Sequence, residues 1–377
     1  MKTVKLYIEP ASLPLTQQLL NYIRSYEDDS VINIVAFQRL KLNMDYINKK
    51  NTAFIDNINI GLSEKLIKIA EFINGVKPLL IEIHTNIHRE RDILFPLMKL
   101  LAVSFSLVDI KLHLYDDGSG SLIERAAIES LDSRELDRLM LKRREQLLGV
   151  LTRGSKKEYE WNVVDNYIWH YILDVTYYFI PPRLRISTNE FYKKLEQHVI
   201  YSNFNIQEQY SVKEKALLLK LVSFPVELYK KLEKIKKEPD VLLFITSYCP
   251  DPLKVLTYHQ RLITLISILK SSGKIPDSSK VIFKGHPENR KLNHEICLAI
   301  GSDVIRVPDE IPVEFLSSFD LLPRKIGGEF SSTFFCMEDI NAEFIILKGE
   351  ESDKANEIFC NIANKYKAFD TNKIVYI

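Results

Sequence analysis

The chain has 377 residues, of which 46% are hydrophobic and 27% charged, with a formal net charge of +1. That length points to two domains with sizeable cores, and the composition is ordinary for a soluble globular enzyme. A near-zero charge supplies no global attraction to nucleic acid or to an anionic membrane. The four cysteines, Cys249, Cys297, Cys336 and Cys360, show no CxxC spacing. This argues against a zinc ribbon or a disulfide scaffold and for reduced thiols in a cytoplasmic protein.

No run of 18 apolar residues is present, so no transmembrane helix is expected. The opening segment, residues 1–10, reads as a strand and not as a signal peptide. An apolar strand over residues 4–8 is followed by helical spacing over 14–26. Strands are predicted at 31–37 and 52–55, then an amphipathic helix at 63–73 with Ser63 as its N-cap. A strand at 79–84, a helix at 92–105 and a strand at 109–115 continue the alternation. A long amphipathic helix covers 132–151. An aromatic stretch, 161–179, leads to the rigid break Pro181-Pro182. The second half repeats the scheme. Strands are expected at 240–246 and 279–283, with a helix over 255–271 between them. Short strands follow at 303–306 and 343–347, with a Gly-Gly turn inside 325–332. A helical tail covers 356–367.

Strands alternating with helices imply parallel, doubly wound sheets. The expected fold class is α/β, with two Rossmann-like domains facing across a cleft. That is the outline of a GT-B glycosyltransferase, although other two-domain α/β enzymes share it. The expected division is 1–175 for the first domain and 176–352 for the second. The tail, 353–377, is expected to pack back on the first domain.

Three strand ends carry chemistry. Tyr115-Asp116-Asp117-Gly118-Ser119-Gly120 closes a strand where ligands bind in open α/β sheets. If the strand persists, the two carboxylates point in opposite directions. One can then act as a general base while the other is structural. The same residues read equally as an Asx turn. They lack the Asp-x-Asp spacing of metal-dependent transferases. Phe283-Lys284-Gly285-His286-Pro287 also ends a strand. There, Gly285 permits close approach of a planar base, and His286 can donate to a leaving phosphate. A surface or core histidine is the competing reading. Gly327-Gly328-Glu329-Phe330-Ser331-Ser332 fits a helix N-terminus that holds phosphate, or ordinary capping by a serine. Glu314 can accept from both hydroxyls of a ribose, or can simply be surface.

Taken in order, five segments carry a family resemblance: Leu6–Pro14, Leu114–Ser119, Phe283–Pro287, Ile311–Leu316 and Leu321–Ser332. Together they resemble the bacterial sialyltransferases of glycosyltransferase family 80, the Pasteurella and Photobacterium type. The resemblance implies a GT-B fold, CMP-sialic acid (CMP-Neu5Ac) as donor and a terminal galactoside as acceptor. It implies inverting α2,3 or α2,6 transfer onto lipooligosaccharide or capsular glycan. It implies no metal and no cofactor besides the donor co-substrate. Asp117 is then the base and His286 the group that stabilises the departing CMP phosphate. Lys284 and Gly285 contact cytosine, largely through backbone. Glu314 binds the ribose, and Ser331 and Ser332 bind the phosphate.

On the acceptor side the resemblance points to Ser12, Arg39, His88, Gly118, Ser119 and Gly120. Tyr248 stands in for a tryptophan that would stack on galactose. His84 reads as structural. Expected partners are a nucleotide sugar and a glycan, with no nucleic acid. The expected location is cytoplasmic, at most peripheral to the inner membrane. The competing readings are a transferase using another CMP-activated acidic sugar, such as CMP-Kdo, and a non-catalytic nucleotide- or glycan-binding protein.

Overall fold

The alternating pattern resolves into two wholly parallel sheets in the computed structural model. It describes residues 2–9, 13–37, 40–55, 61–153, 162–180, 190–201, 210–248, 252–336, 341–350, 352–366 and 369–377. The first unit contains β1 (Thr3–Glu9), α1 (Leu15–Arg24), β2 (Val31–Phe37), β3 (Thr52–Phe54), α2 (Leu62–Val76) and β4 (Leu80–Asn86). It continues with α3 (Phe95–Leu101), β5 (Ile110–Tyr115), α4 (Ser119–Glu129), α5 (Ser133–Arg153), β6 (Asp174–Phe179), α6 (Glu190–Glu196), β7 (Val199–Tyr201) and α7 (Val212–Leu221). Its strand order is β3-β2-β1-β4-β5-β6-β7. Strand order reverses between β1 and β4, which creates the switch point where such sheets bind ligands.

Period-two alternation sorts the sheet's side chains. Val4, Leu6, Ile8, Ile81, Ile83, Leu112 and Leu114 are buried on one face. The opposite face carries Lys5, Tyr7, Glu82, His84, Lys111 and His113. Helix α2 begins one residue before Ser63, and Gly61 holds the cap position without a side-chain bond. Ser63 is therefore inside the first turn and is not the cap.

The second unit contains α8 (Val226–Ile235), β8 (Leu242–Ile245), α9 (Pro252–Ser271), β9 (Val281–Lys284), α10 (Arg290–Ile300) and β10 (Ile305–Val307). After these come α11 (Glu314–Ser318), β11 (Lys325–Glu329), α12 (Thr333–Cys336), β12 (Asn341–Leu347), α13 (Lys354–Tyr366) and β13 (Ile374–Tyr376). Its order, β10-β9-β8-β11-β12-β13, repeats the first six positions of the other sheet. The core joins Leu262 and Ile266 of α9 to Ile296 of α10, and both to Phe244, Phe283 and Phe344 of the sheet. Each such phenylalanine contributes about 1.5–3 kcal/mol by burial.

Three expectations change. The boundary at 175/176 would cut through β6, which pairs with β5 and β7 in the first sheet. The tail builds the second unit, because β13 pairs with β12 as the sixth strand. Finally, Gly327-Gly328 is not a turn. It lies in β11, hydrogen-bonded between β8 and β12. Gly328 has φ of +126°, and a Cβ there would collide with the Ile245 backbone. The glycines allow the strand to pack at the centre of the sheet.

Candidate active site

In the first unit, the ends of β4 and β5 bring together residues far apart in sequence. Asp116 is 2% exposed. Its Oδ2 accepts from Arg125 Nη1 of α4 and, at 2.8 Å, from the Ile180 amide. Arg125 also donates to the Ile180 carbonyl at 3.2 Å and lies 4.3 Å from the centre of the Phe179 ring. Asp116 is thus the internal carboxylate of the pair. Asp117 is half-buried, with its amide donating to Ser121 Oγ at 3.2 Å. Gly118 follows with φ of +108°, a backbone state that side chains disfavour, and starts α4.

His88 stands over this loop. Its Nε2 is 3.1 Å from Ser121 Oγ and 3.3 Å from Glu124 Oε2. Glu124 is itself held by Asn166 Nδ2 and Tyr167 Oη, each at 3.1 Å. Burial disfavours the charged ring, but Glu124, helped by Asp117 and Asp116, raises the imidazole pKa above its ordinary value. Gly120 makes room for it, because a Cβ there would sit 3.1 Å from His88 Cε1.

In the second unit, the ends of β8, β9 and β11 converge. The His286 amide donates to Thr246 Oγ1 at 2.9 Å, and its carbonyl accepts from Asn293 Nδ2 at 2.7 Å. The ring Nδ1 accepts from the Glu288 amide at 3.3 Å. In the neutral ring this places the proton on Nε2. The Tyr248 ring lies 5.4 Å from His286. Lys284 is buried, and its Nζ donates to the Gly285 and Asp309 carbonyls. Burial lowers its pKa to about 8, against the pull of Asp309 and Glu314. Its side chain is thus a strut that fixes the strand end. A Cβ on Gly285 would collide with Asn293 and approach Asp309 Oδ1 to 2.6 Å.

Glu314 opens α11 and is 5% exposed, with Oε2 buried and making no hydrogen bond. Burial pushes its carboxyl pKa up. Ser331 Oγ accepts from the Thr333 amide at 3.4 Å, and Ser332 caps the same four-residue α12 through its carbonyl.

Residues 4–372 match the family described as Sialyltransferase PMO188. The chain is a member of the PMO188 sialyltransferase family. It is accordingly a glycosyltransferase enzyme, and its two sheets adopt the GT-B fold. No curated protein sequence matches it. Solved structures do.

The α/β-galactoside α-2,3-sialyltransferase of Photobacterium phosphoreum superposes with a TM-score of 0.79 at 18% identity. That match covers 100% of this chain and 98% of the other. The GT-B domain of the Photobacterium damselae sialyltransferase matches with a TM-score of 0.79 at 21% identity, over 99% of each chain. A 2,6-sialyltransferase from a Vibrionaceae Photobacterium was solved with the donor product CMP and the acceptor lactose. It matches with a TM-score of 0.79 at 19% identity, covering 100% of this chain and 78% of that one.

Within this sialyltransferase the sequence-predicted residues fall into two groups by unit. Asp117, Gly118, Gly120 and His88 gather in the first, with Ser119 as the first residue of α4. Lys284, Gly285, His286 and Tyr248 gather in the second, at neighbouring strand ends; Glu314 opens α11, and Ser331 and Ser332 follow β11. Ser12 and Arg39 lie outside the described residues. His84 is buried in β4, as its strand position suggested.

Sequence reasoning passed over Glu124 and Glu329. Glu329 is fully buried at the end of β11. It accepts from the Ser247 amide at 3.1 Å, from Ser247 Oγ at 3.2 Å and from Tyr258 Oη, with Lys348 Nζ at 3.3 Å. It anchors the loop that carries Tyr248. The signal was present in Gly327-Gly328-Glu329, but a charge beside two glycines reads as solvent-facing.

Proposed function

We propose that this sialyltransferase moves Neu5Ac from CMP-Neu5Ac to a galactoside hydroxyl with inversion, without a metal ion. Asp117 is the base. The donor's C2–O bond breaks and its electron pair leaves with the CMP phosphate. The acceptor oxygen forms the new C2–O bond on the opposite face and loses its proton to the Asp117 carboxylate. A half-buried carboxylate in the loop after β5, next to the fully buried Asp116, suits that role.

His286 answers the charge on the leaving phosphate through its Nε2 proton. Ser331 and Ser332 supply hydroxyls to the same phosphate. Glu314 receives the ribose diol, which would satisfy its buried, unbonded Oε2. Lys284 holds the β9 end so that the backbone at Gly285 meets cytosine. His88, made more basic by Glu124, lies on the acceptor side with Gly118, Ser119 and Gly120. Tyr248 offers a ring face to a sugar. Ser12 and Arg39 are assigned to the same sugar site by resemblance alone.

The observation that carries this reading is the split between adjacent carboxylates, Asp116 fully buried against Arg125 and Asp117 half-buried in the loop that follows β5. Asp117→Asn should lower transfer about 10²–10⁴-fold while CMP still binds. Transfer at the parent rate by this variant would refute the assignment. Galactosides of lipooligosaccharide or capsular glycan are the proposed acceptors. A reducing cytoplasmic setting, at most peripheral to the inner membrane, fits the free Cys297 and Cys360. Among the described residues no helix is long and apolar enough to cross a membrane.

A further inference from the structure

The polar face of the first sheet holds a group that the transfer chemistry does not use. Glu82 and His84 are two residues apart on β4, and His113 of β5 is the register partner of His84. All three therefore share one face. His84 is 1% exposed, and the side chains of His113 and Glu82 are 12% and 17% exposed. His84 Nδ1 lies 2.8 Å from Tyr115 Oη, and His113 Nδ1 lies 3.2 Å from Tyr178 Oη. Both Nε2 atoms are buried and make no hydrogen bond. They stand 3.7 and 4.0 Å from the same Glu82 Oε2. Leaving two buried ring nitrogens unbonded is costly, so this arrangement wants a partner.

We propose that Glu82, His84 and His113 form a binding site for a borderline divalent metal ion such as zinc(II) or cobalt(II). Two imidazole nitrogens and one carboxylate oxygen are a zinc-type donor set, and the observed separations suit bonds of about 2.0–2.2 Å. Nitrogen ligands make magnesium and calcium poor occupants. Each ring would donate its Nδ1 proton to the tyrosine hydroxyl already beside it, which leaves Nε2 as the ligand atom.

Burial keeps both imidazoles neutral, with pKa values of about 4 for His84 and about 2 for His113. Although burial opposes its charge, Glu82 is held ionised, at about 2, by His84 and Lys5. The ion would pin β4 to β5 beneath the loop that carries Asp116 and Asp117, because Tyr115 directly precedes that loop. It would take no part in sialyl transfer.

Two features of the site make the idea testable. Lys5 Nζ lies 3.2 Å from Glu82 Oε2 and competes with any cation there. The His84 and His113 rings are stacked, with centroids 4.2 Å apart and planes 4° from parallel. A shared ion must turn them out of that stack.

Chelator-stripped protein would be titrated with cobalt(II), read by its visible absorption, and with zinc(II) by calorimetry. One equivalent should bind, and the ring C–H signals of both histidines should shift. His113→Asn and Glu82→Gln should each weaken binding at least about tenfold. Lys5→Met, which removes the competing ammonium and leaves all three ligands, should tighten it. No saturable binding would overturn the proposal. So would one equivalent whose affinity is unchanged in both His113→Asn and Lys5→Met, since the ion would then lie elsewhere.

Discussion

Asp116→Asn isolates the structural half of the carboxylate pair. The substitution keeps the side chain's size and removes one negative charge. Arg125, 1% exposed, would lose its counter-charge while staying under Phe179. Removing one partner of a buried ion pair costs about 3–5 kcal/mol. A domain's entire stability is about 5–15 kcal/mol, so the first unit would lose a large fraction of it. At about 2–4 °C per kcal/mol for a unit of this size, the unfolding midpoint of that unit should fall by roughly 10 °C.

The assay is urea and thermal unfolding followed by circular dichroism, with Asp117→Asn as the control. That variant makes the same charge change one residue later, at a half-buried position. Its stability should stay within about 1 kcal/mol of the parent. Asp116→Asn combined with Arg125→Met should recover part of the loss, because with the guanidinium gone no charge is left stranded. Equal destabilisation by the two single variants, or none by Asp116→Asn, would refute the reasoning.

Acid should weaken the first unit before it reaches the carboxylate range. His84 titrates at about 4 when folded, against 6.5 for the free side chain, so the unfolded chain binds a proton that the folded one refuses. Stability should fall as pH drops from about 6.5 to 4, by roughly 3 kcal/mol from His84 alone. Urea midpoints at pH 7, 5.5 and 4.5 measure this, and a flat profile with an unchanged slope in His84→Phe would contradict it. Glu314→Ala should weaken CMP binding by about 1.5–3 kcal/mol, roughly tenfold to a hundredfold, without lowering fold stability. It removes a buried carboxylate whose Oε2 makes no hydrogen bond. Calorimetry with CMP checks the first part, and unchanged affinity would remove Glu314 from the donor site.

Strand parity was the most legible feature of the sequence. Adjacent aspartates after an alternating strand were expected to take different surroundings, and the fold buries Asp116 against Arg125 while Asp117 is half-buried in the loop after β5. The partner could not be read, because Arg125 and Ile180 reach Asp116 only through tertiary packing. The Gly-Gly of β11 misled for a physical reason. Glycine pairs ordinarily signal turns, but here they make space for Ile245 and Phe344 on the flanking strands. Strands β7 and β13, three residues each, are too short to show a period, and for that reason the unit boundary and the tail were misplaced. Glu124 gave no local signal, since its role depends on His88, Asn166 and Tyr167 from other elements.

The central claim is that this chain transfers Neu5Ac from CMP-Neu5Ac to a galactoside. Its most direct test incubates the purified chain with CMP-Neu5Ac or CMP-Kdo across an array of galactoside acceptors, following CMP release and sialylated product by mass. The account predicts acceptor-dependent CMP release and a product heavier by one sialic acid with CMP-Neu5Ac. Turnover with CMP-Kdo alone, or with neither donor, would contradict it.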